Sequence, residues 1–267
     1  MVRRHPFLDR AGPLAMAHRG GALETAENTR AGFRHAVDLG YAYLETDVQV
    51  TRDGVAVLFH DDVLDRVTDT TGRVSDLRWV DIRNVGTPAG TDQIMRLDSA
   101  LEEFATQRFN LDLKCDAAVD ATLAVLQATR AHDRVLLGSF SDRRLAAVRQ
   151  RVGPALATSA GPREVAAFVA AAHGLPLPRL PRAPHAPLAL QIPLSMHRMP
   201  VLSRRLLDLA HREGVEVHVW TVDEVPDMVR LLDMGVDGIL TDRPALLRQL
   251  LEDRGQWHAS TEQSEEQ

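Results

Sequence analysis

Cysteine is all but missing: Cys115 is the one thiol in 267 residues. An internal disulfide is excluded, which fits a reducing compartment or a fold indifferent to redox. Between Lys114 and Asp116 the thiol has no activating partner, so it carries no catalytic expectation. A long apolar run is missing too. No stretch approaches the ~20 residues needed to cross a bilayer. The basic N-terminal segment is broken by Pro6, Asp9, Arg10 and Pro13 before it can form the apolar centre of a signal peptide. No stable membrane insertion is expected, and a soluble, cytoplasmic protein is. An excess of positive charge is lacking as well, since 31 Lys and Arg face 37 Asp and Glu, for a net charge of −6. That balance gives no electrostatic reason for a nucleic-acid partner. What is present is 45% apolar and 25% charged residues, the composition of a globular chain able to bury a full core.

Short β-rich runs alternate with longer amphipathic ones. Strands are predicted over residues 14–18, 41–48, 109–113, 134–139, 155–159, 187–192, 215–221 and 238–241. Helices are predicted over 29–39, 98–106, 117–131, 142–151, 162–172, 201–213, 223–234 and 244–253. Gly40, Gly153, Gly174, Gly214 and Gly235 stand where the helical periodicity stops. Repeated βα units predict a single α/β domain over 1–254, a TIM (β/α)8 barrel, whose catalytic groups come from the carboxyl ends of the strands. The run 55–59 does not fit the parallel count. The turn 51–54 before it is too short for a parallel crossover, so 55–59 must be the returning arm of a β-hairpin that brings His60 to the rim beside Asp47. The polar stretch 61–96 is predicted as an insertion over the barrel mouth, a partial lid. The proline-rich segment 174–187 is predicted as a loop, and the polar tail 255–267 is expected to fray.

The reactive side chains fall where predicted strands stop. His18 and Arg19 end the first, Glu45 and Asp47 close the second, His60 ends the hairpin arm, and Asp112 and Lys114 end the strand at 109–113. Glu45 and Asp47, two apart, point to one face of their strand. Two carboxylates converging in a half-buried pocket repel, and a divalent cation relieves the conflict, as would a barrel Arg or Lys bonded to one of them. Asp112 offers a third hard oxygen ligand. Three carboxylates with open water positions suit Mg²⁺ or Ca²⁺ better than a softer metal. Lys114 offers a cation to phosphate oxygens, or else neutralises Asp112. His18 and His60 titrate near neutrality and can act as acid and base. Arg19 supplies a planar fork for phosphate, its alternative being a pair with Glu24 or Glu27. Trp220 places an apolar face at the mouth, fit for a glycerol or alcohol group or for core packing. His218 lacks such clustering.

In order along the chain, His18-Arg19-Gly20, Glu27-Asn28-Thr29, Glu45-Thr46-Asp47-Val48, Thr51-Arg52-Asp53-Gly54, His60-Asp61 with Leu64, Arg66 and Thr68, and the late stretches VWTVD and GVDGILTDRP are similar to motifs of one family. The chain resembles the glycerophosphodiester phosphodiesterases over residues 17–247. The resemblance implies a TIM barrel with a small insertion after the histidine hairpin. It also implies metal ligation by Glu45, Asp47 and Asp112, an acid–base pair in His18 and His60, and Arg19 and Lys114 on the phosphate. Asp112 stands where the family usually has Glu, Ala26 where it has Pro, and Asp223 where it has Asn. The implied activity is metal-dependent hydrolysis of a small glycerophosphodiester to glycerol 3-phosphate and an alcohol, with the substrate's own 2-hydroxyl or water as nucleophile. Two alternatives are a lysophospholipase D, approached across apolar loop residues such as Leu175, Leu177 and Leu180, and a non-catalytic phosphate-binding barrel. A mere binder has no use for paired proton-transfer groups.

Overall fold

The computed structural model describes residues 5–86, 93–176, 186–196 and 199–259. Its strands are β1 (Leu14–Ala17), β2 (Tyr43–Val50), β3 (Ala56–Leu58), β4 (Arg108–Leu113), β5 (Val135–Gly138), β6 (Ala157–Thr158), β7 (Ala189–Pro193), β8 (Ser195–Met196), β9 (Met199–Pro200), β10 (Glu216–Trp220) and β11 (Gly238–Thr241). Its helices are α1 (Arg30–Asp38), α2 (Trp79–Ile82), α3 (Leu97–Glu103), α4 (Ala117–Thr129), α5 (Asp142–Val152), α6 (Pro162–Ala172), α7 (Arg204–Arg212), α8 (Val225–Met234) and α9 (Pro244–Asp253). Eight strands lie parallel in the order β6-β5-β4-β2-β1-β11-β10-β7. A parallel bridge between Ser159 and Ala189 joins the two ends. The amide of Leu188 donates to the Thr158 carbonyl at 2.9 Å and that of Ala160 to the Ala189 carbonyl at 2.8 Å, closing the circle as a TIM barrel.

A strand inside such a barrel has no solvent face, and every residue of β2 is buried. Leu44 and Val48 face outward into the main core, which includes Phe33 of α1 and Phe109 of β4. Tyr43 faces inward, in a second core with Phe7, Leu14, Met16, Leu136, Ala157 and Leu240. Closing a barrel staggers the strands, so inward side chains from alternate strands stack in layers. The pairing register sets Met16, Asn110, Ser159 and His218 in one layer. Above it come Glu45, Gly138, Gln191 and Leu240, and above those His18, Asp112 and Trp220. At the opposite end the 3₁₀ turn Pro6–Leu8 seals the floor. Phe7 is fully buried there against Tyr43, ring centroids 5.3 Å apart, and the Tyr43 hydroxyl donates to the Phe7 carbonyl at 2.7 Å.

The hairpin forms as the short turn requires, with β3 antiparallel to β2 and Val48 opposite Leu58. The Phe59 amide donates to the Asp47 carbonyl at 3.0 Å, and His60 therefore emerges beside Asp47. The expected insertion follows the hairpin at the rim, and its residues 87–92 lie outside the described residues. Leu64, Val74, Ile82, Val85 and Ile94 build a small core of their own with Val57 and Phe59, and the Trp79 amide bonds Asp53 at the hairpin tip at 2.9 Å. The segment buttresses the hairpin. Of the tail expected to fray, residues 260–267 lie outside the described residues, whereas Trp257 packs edge-to-face on Tyr41, centroids 5.1 Å apart, in an apolar notch at Gly40. Leu175 follows α6 and precedes β7, at the end of the barrel remote from the strand carboxyl ends, so it cannot line the mouth. Most of the proline-rich loop, with Leu177 and Leu180, lies outside the described residues.

Candidate active site

β1 stops at Ala17 and the chain turns sharply through His18–Gly20, with Arg19 in the left-handed region at φ 52°. A side chain at Gly20 would meet the Gly32 backbone at 2.8 Å, so only glycine lets the turn close on α1. The turn aims the Arg19 amide at Glu45, donating to Oε2 at 3.1 Å. It also sets His18 Nε2 3.7 Å from the same carboxylate oxygen. The other imidazole nitrogen, Nδ1, lies 2.7 Å from Asp242 Oδ1 at the end of β11.

Asp47 is the hub. Its carboxylate is 2% exposed and receives Lys114 Nζ at 2.8 Å, Arg19 Nε at 3.2 Å and Asn28 Nδ2 at 3.0 Å. Lys114 Nζ also lies 2.8 Å from Asp112 Oδ2, the residue registered beside Asp47 on β4. Asn28, itself left-handed at φ 56°, accepts from Thr46 Oγ1 at 2.7 Å, which fixes its amide toward Asp47. His60 Nδ1 is 2.5 Å from Asp61 Oδ1. Arg66 clamps Asp61 (2.6 Å) to Glu27 (2.7 Å), and Glu27 also meets Arg19 at 3.3 Å.

The charges are unevenly matched. Burial works to raise the Asp47 pKa, but Lys114 and Arg19 outweigh it and hold the group below the usual carboxylate range. Lys114 is likewise held protonated by Asp47 and Asp112 against the pull of burial. Glu45 has His18 at 3.7 Å and Arg19 against it, but burial, with Asp47 and Asp112 adding to it, outweighs both and pushes the group up to about 7. Burial also lowers His18, yet Glu45 and Asp242 overcome it and the imidazole holds its proton more tightly than usual. Asp61 is drawn down to about 2, chiefly by its bond to Arg66.

A carboxyl at about 7 in the fold, against 4.5 for an unperturbed glutamate, must destabilise the protein as it ionises. The unfolded chain loses this proton first, so stability falls as pH rises from about 4.5 to about 7, by on the order of 3 kcal/mol. In metal-free buffer, thermal unfolding of Glu45→Gln should lack this descending limb. Identical pH profiles for the two proteins would show that Glu45 is not the frustrated group.

All eight predicted site residues thus gather at one rim. Trp220 ends β10 there, its ring edge-to-face with Phe140 at 5.7 Å. Lys114 Nζ stands 5.9 Å from the Phe140 ring. His218 is fully buried deeper in the barrel, paired to Glu216 at 3.0 Å beneath the site. Four participants carry no assigned role in the sequence reading: Asp242, Asn28, Phe140 and Arg66. Phe140 and Asp242 each follow a predicted strand directly, the same signal that marks the others; that Asp242 reaches His18 across 224 residues leaves no local trace. Three carboxylates within one electrostatic neighbourhood are the donor set a hard cation takes, and the unbalanced Glu45 fits one. Among the described residues they do not converge as a ready cage, because Lys114 bridges Asp47 and Asp112. No helix among those residues is long and apolar enough to cross a membrane.

Comparison with known proteins agrees with this geometry. The chain is 38% identical over 252 residues to a Mycobacterium tuberculosis protein named "Probable glycerophosphodiester phosphodiesterase 2", covering 94% of this chain and 95% of that one. In fold it matches the glycerophosphoryl diester phosphodiesterase domain of another M. tuberculosis protein, with a TM-score of 0.78, 21% identity and 90% and 99% of the two chains covered. It also matches an Oleispira antarctica phosphodiesterase solved with its product sn-glycerol-3-phosphate, with a TM-score of 0.74, 23% identity and 90% and 97% covered. The model of the glycerophosphoryl diester phosphodiesterase family matches residues 18–246, from the first site histidine into α9, and the chain belongs to that family.

Proposed function

We propose that this enzyme hydrolyses glycerophosphodiesters to glycerol 3-phosphate and an alcohol, by histidine acid–base chemistry beside a divalent cation. The observation that carries the reading is a pair of imidazoles, each oriented through Nδ1 by its own carboxylate, flanking a buried cluster of acids and cations. With Nδ1 turned to Asp242, His18 keeps Nε2 for the reacting atoms; with Nδ1 turned to Asp61, His60 does the same. His18 holds its proton more tightly than usual and serves as the acid that protonates the leaving alkoxide. His60 takes the proton of the attacking hydroxyl. Arg19 and Lys114 neutralise the charge that grows on the phosphoryl oxygens. Glu45, Asp47 and Asp112 would hold the cation, Mg²⁺ or Ca²⁺, which when bound would polarise a phosphoryl oxygen and acidify the nucleophile.

A product assay over glycerophosphocholine, glycerophosphoethanolamine and lysophosphatidylcholine, with and without chelator, tests this. Glycerol 3-phosphate should appear with the free alcohol from the two deacylated substrates, turnover of lysophosphatidylcholine to lysophosphatidic acid and choline should be slower, and chelation should slow turnover about a hundredfold. Phosphocholine and glycerol as products, or indifference to the chelator, would overturn the proposal.

A further inference from the structure

Arg66 stands at the rim with no task in the chemistry proposed above, yet its place is closely fixed. It lies in the first turn of the insertion, between Leu64, fully buried in the small core with Val57 and Phe59, and Thr68, whose hydroxyl donates to the Leu64 carbonyl at 2.8 Å. The Leu64 amide donates in turn to the Gly72 carbonyl at 2.9 Å, which closes the loop. The guanidinium holds two carboxylates. Nε donates to Asp61 Oδ2 at 2.6 Å, while Nη1 and Nη2 take the two oxygens of Glu27 at 2.9 and 2.7 Å. Each acid serves a different group of the site: Asp61 Oδ1 lies 2.5 Å from His60 Nδ1, and Glu27 Oε1 accepts from Arg19 Nη1 at 3.3 Å.

A planar fork of five donors can engage both acids at once. Its effect on each is different. The backbone at Asp61 is pinned, since Gln49 Nε2 donates to its carbonyl at 3.0 Å, but the carboxylate is held by His60 on one oxygen and by Arg66 on the other. Without Arg66 that second oxygen turns to water, and the half-exposed His60 ring loses its bearing. Glu27 is engaged by Arg66 on both oxygens at short range, so Arg19 meets it only at the longer distance. Without Arg66, Glu27 keeps Arg19 as its cation among the described residues. Both side chains are largely withdrawn from water, 14% and 17% exposed, so little screening opposes a closer pair. That pair would neutralise the guanidinium offered to phosphate. We propose that Arg66 is a positioning residue acting through two others: it aims His60 through Asp61, and by occupying Glu27 it keeps Arg19 available to the phosphate. This rests on the functional reading above for the roles of His60 and Arg19.

The test combines Arg66→Met with Glu27→Gln, reading affinity by calorimetric titration of glycerol 3-phosphate in Mg²⁺ buffer and kcat with glycerophosphocholine. Arg66 is 47% exposed, so methionine there leaves the fold intact. In Arg66→Met the affinity should fall about tenfold and kcat about tenfold to a hundredfold. Adding Glu27→Gln should return the affinity to within about threefold of native, while kcat stays low because Asp61 is still loose. General structural damage, or an Arg66 that bonds the phosphate itself, is not repaired by removing a second group. Affinity that stays low in the double variant therefore overturns the proposal, as does binding in Arg66→Met no weaker than in the native protein. Absence of turnover in the native protein would refute the hydrolytic reading, and the affinities, which need no turnover, still decide whether Arg66 keeps Glu27 from Arg19.

Discussion

Replacing His60 by alanine should lower kcat about 10²- to 10⁴-fold, the range lost when a positioned proton-transfer group is removed. Bound cation should stay at its native level, because His60 contributes no carboxylate to the cluster and its ring is held from outside by Asp61 at 2.5 Å. Added imidazole should restore part of the rate. His60 is an informative site because its side chain is 32% exposed, so the substitution leaves little void and the protein should remain folded. Native turnover in this variant would remove the base from the mechanism.

The second large effect is expected at Asp47. Replacing it by asparagine preserves shape but discharges the hub, leaving Lys114 and Arg19 facing one another without the carboxylate that both engage, at 2.8 Å and 3.2 Å. Turnover should fall about a thousandfold or more, since on the proposed mechanism the loss combines the positions of two phosphate-binding cations with one cation ligand. Unlike His60→Ala, this variant should also lose bound metal, measured by elemental analysis after dialysis against Mg²⁺ or Ca²⁺. Removing one partner of a buried ionic cluster destabilises by about 3–5 kcal/mol, so thermal unfolding should shift downward as well. Metal content equal to that of the native protein would take Asp47 out of the ligand set.

How much of this could be read from residues alone depends on how far each interaction reaches along the chain. Glu45 and Asp47 announce themselves because a two-residue spacing on a strand is a statement about one face, and a turn of four residues before Val55 permits only a hairpin. The barrel follows from alternation. Asp242 and Asn28 stand in recognisable motifs, but what they pair with is not legible, because His18 and Asp47 lie in other segments and only the closed sheet brings them together. Gln191 is the clearest case. Periodicity says that it faces the lumen or the helices; that it meets Gly138 and the layer of Glu45 depends on the stagger between strands, which no local pattern encodes. The small core of the insertion is hidden for the opposite reason: its polar residues suggest exposure, while scattered Leu64, Val74 and Ile82 are enough for a core against the hairpin.

The plug formed by Phe7 under Tyr43 makes the barrel a blind vessel. Nothing can pass through it, so arrivals and departures share one doorway and the fragment lodged deepest must go last.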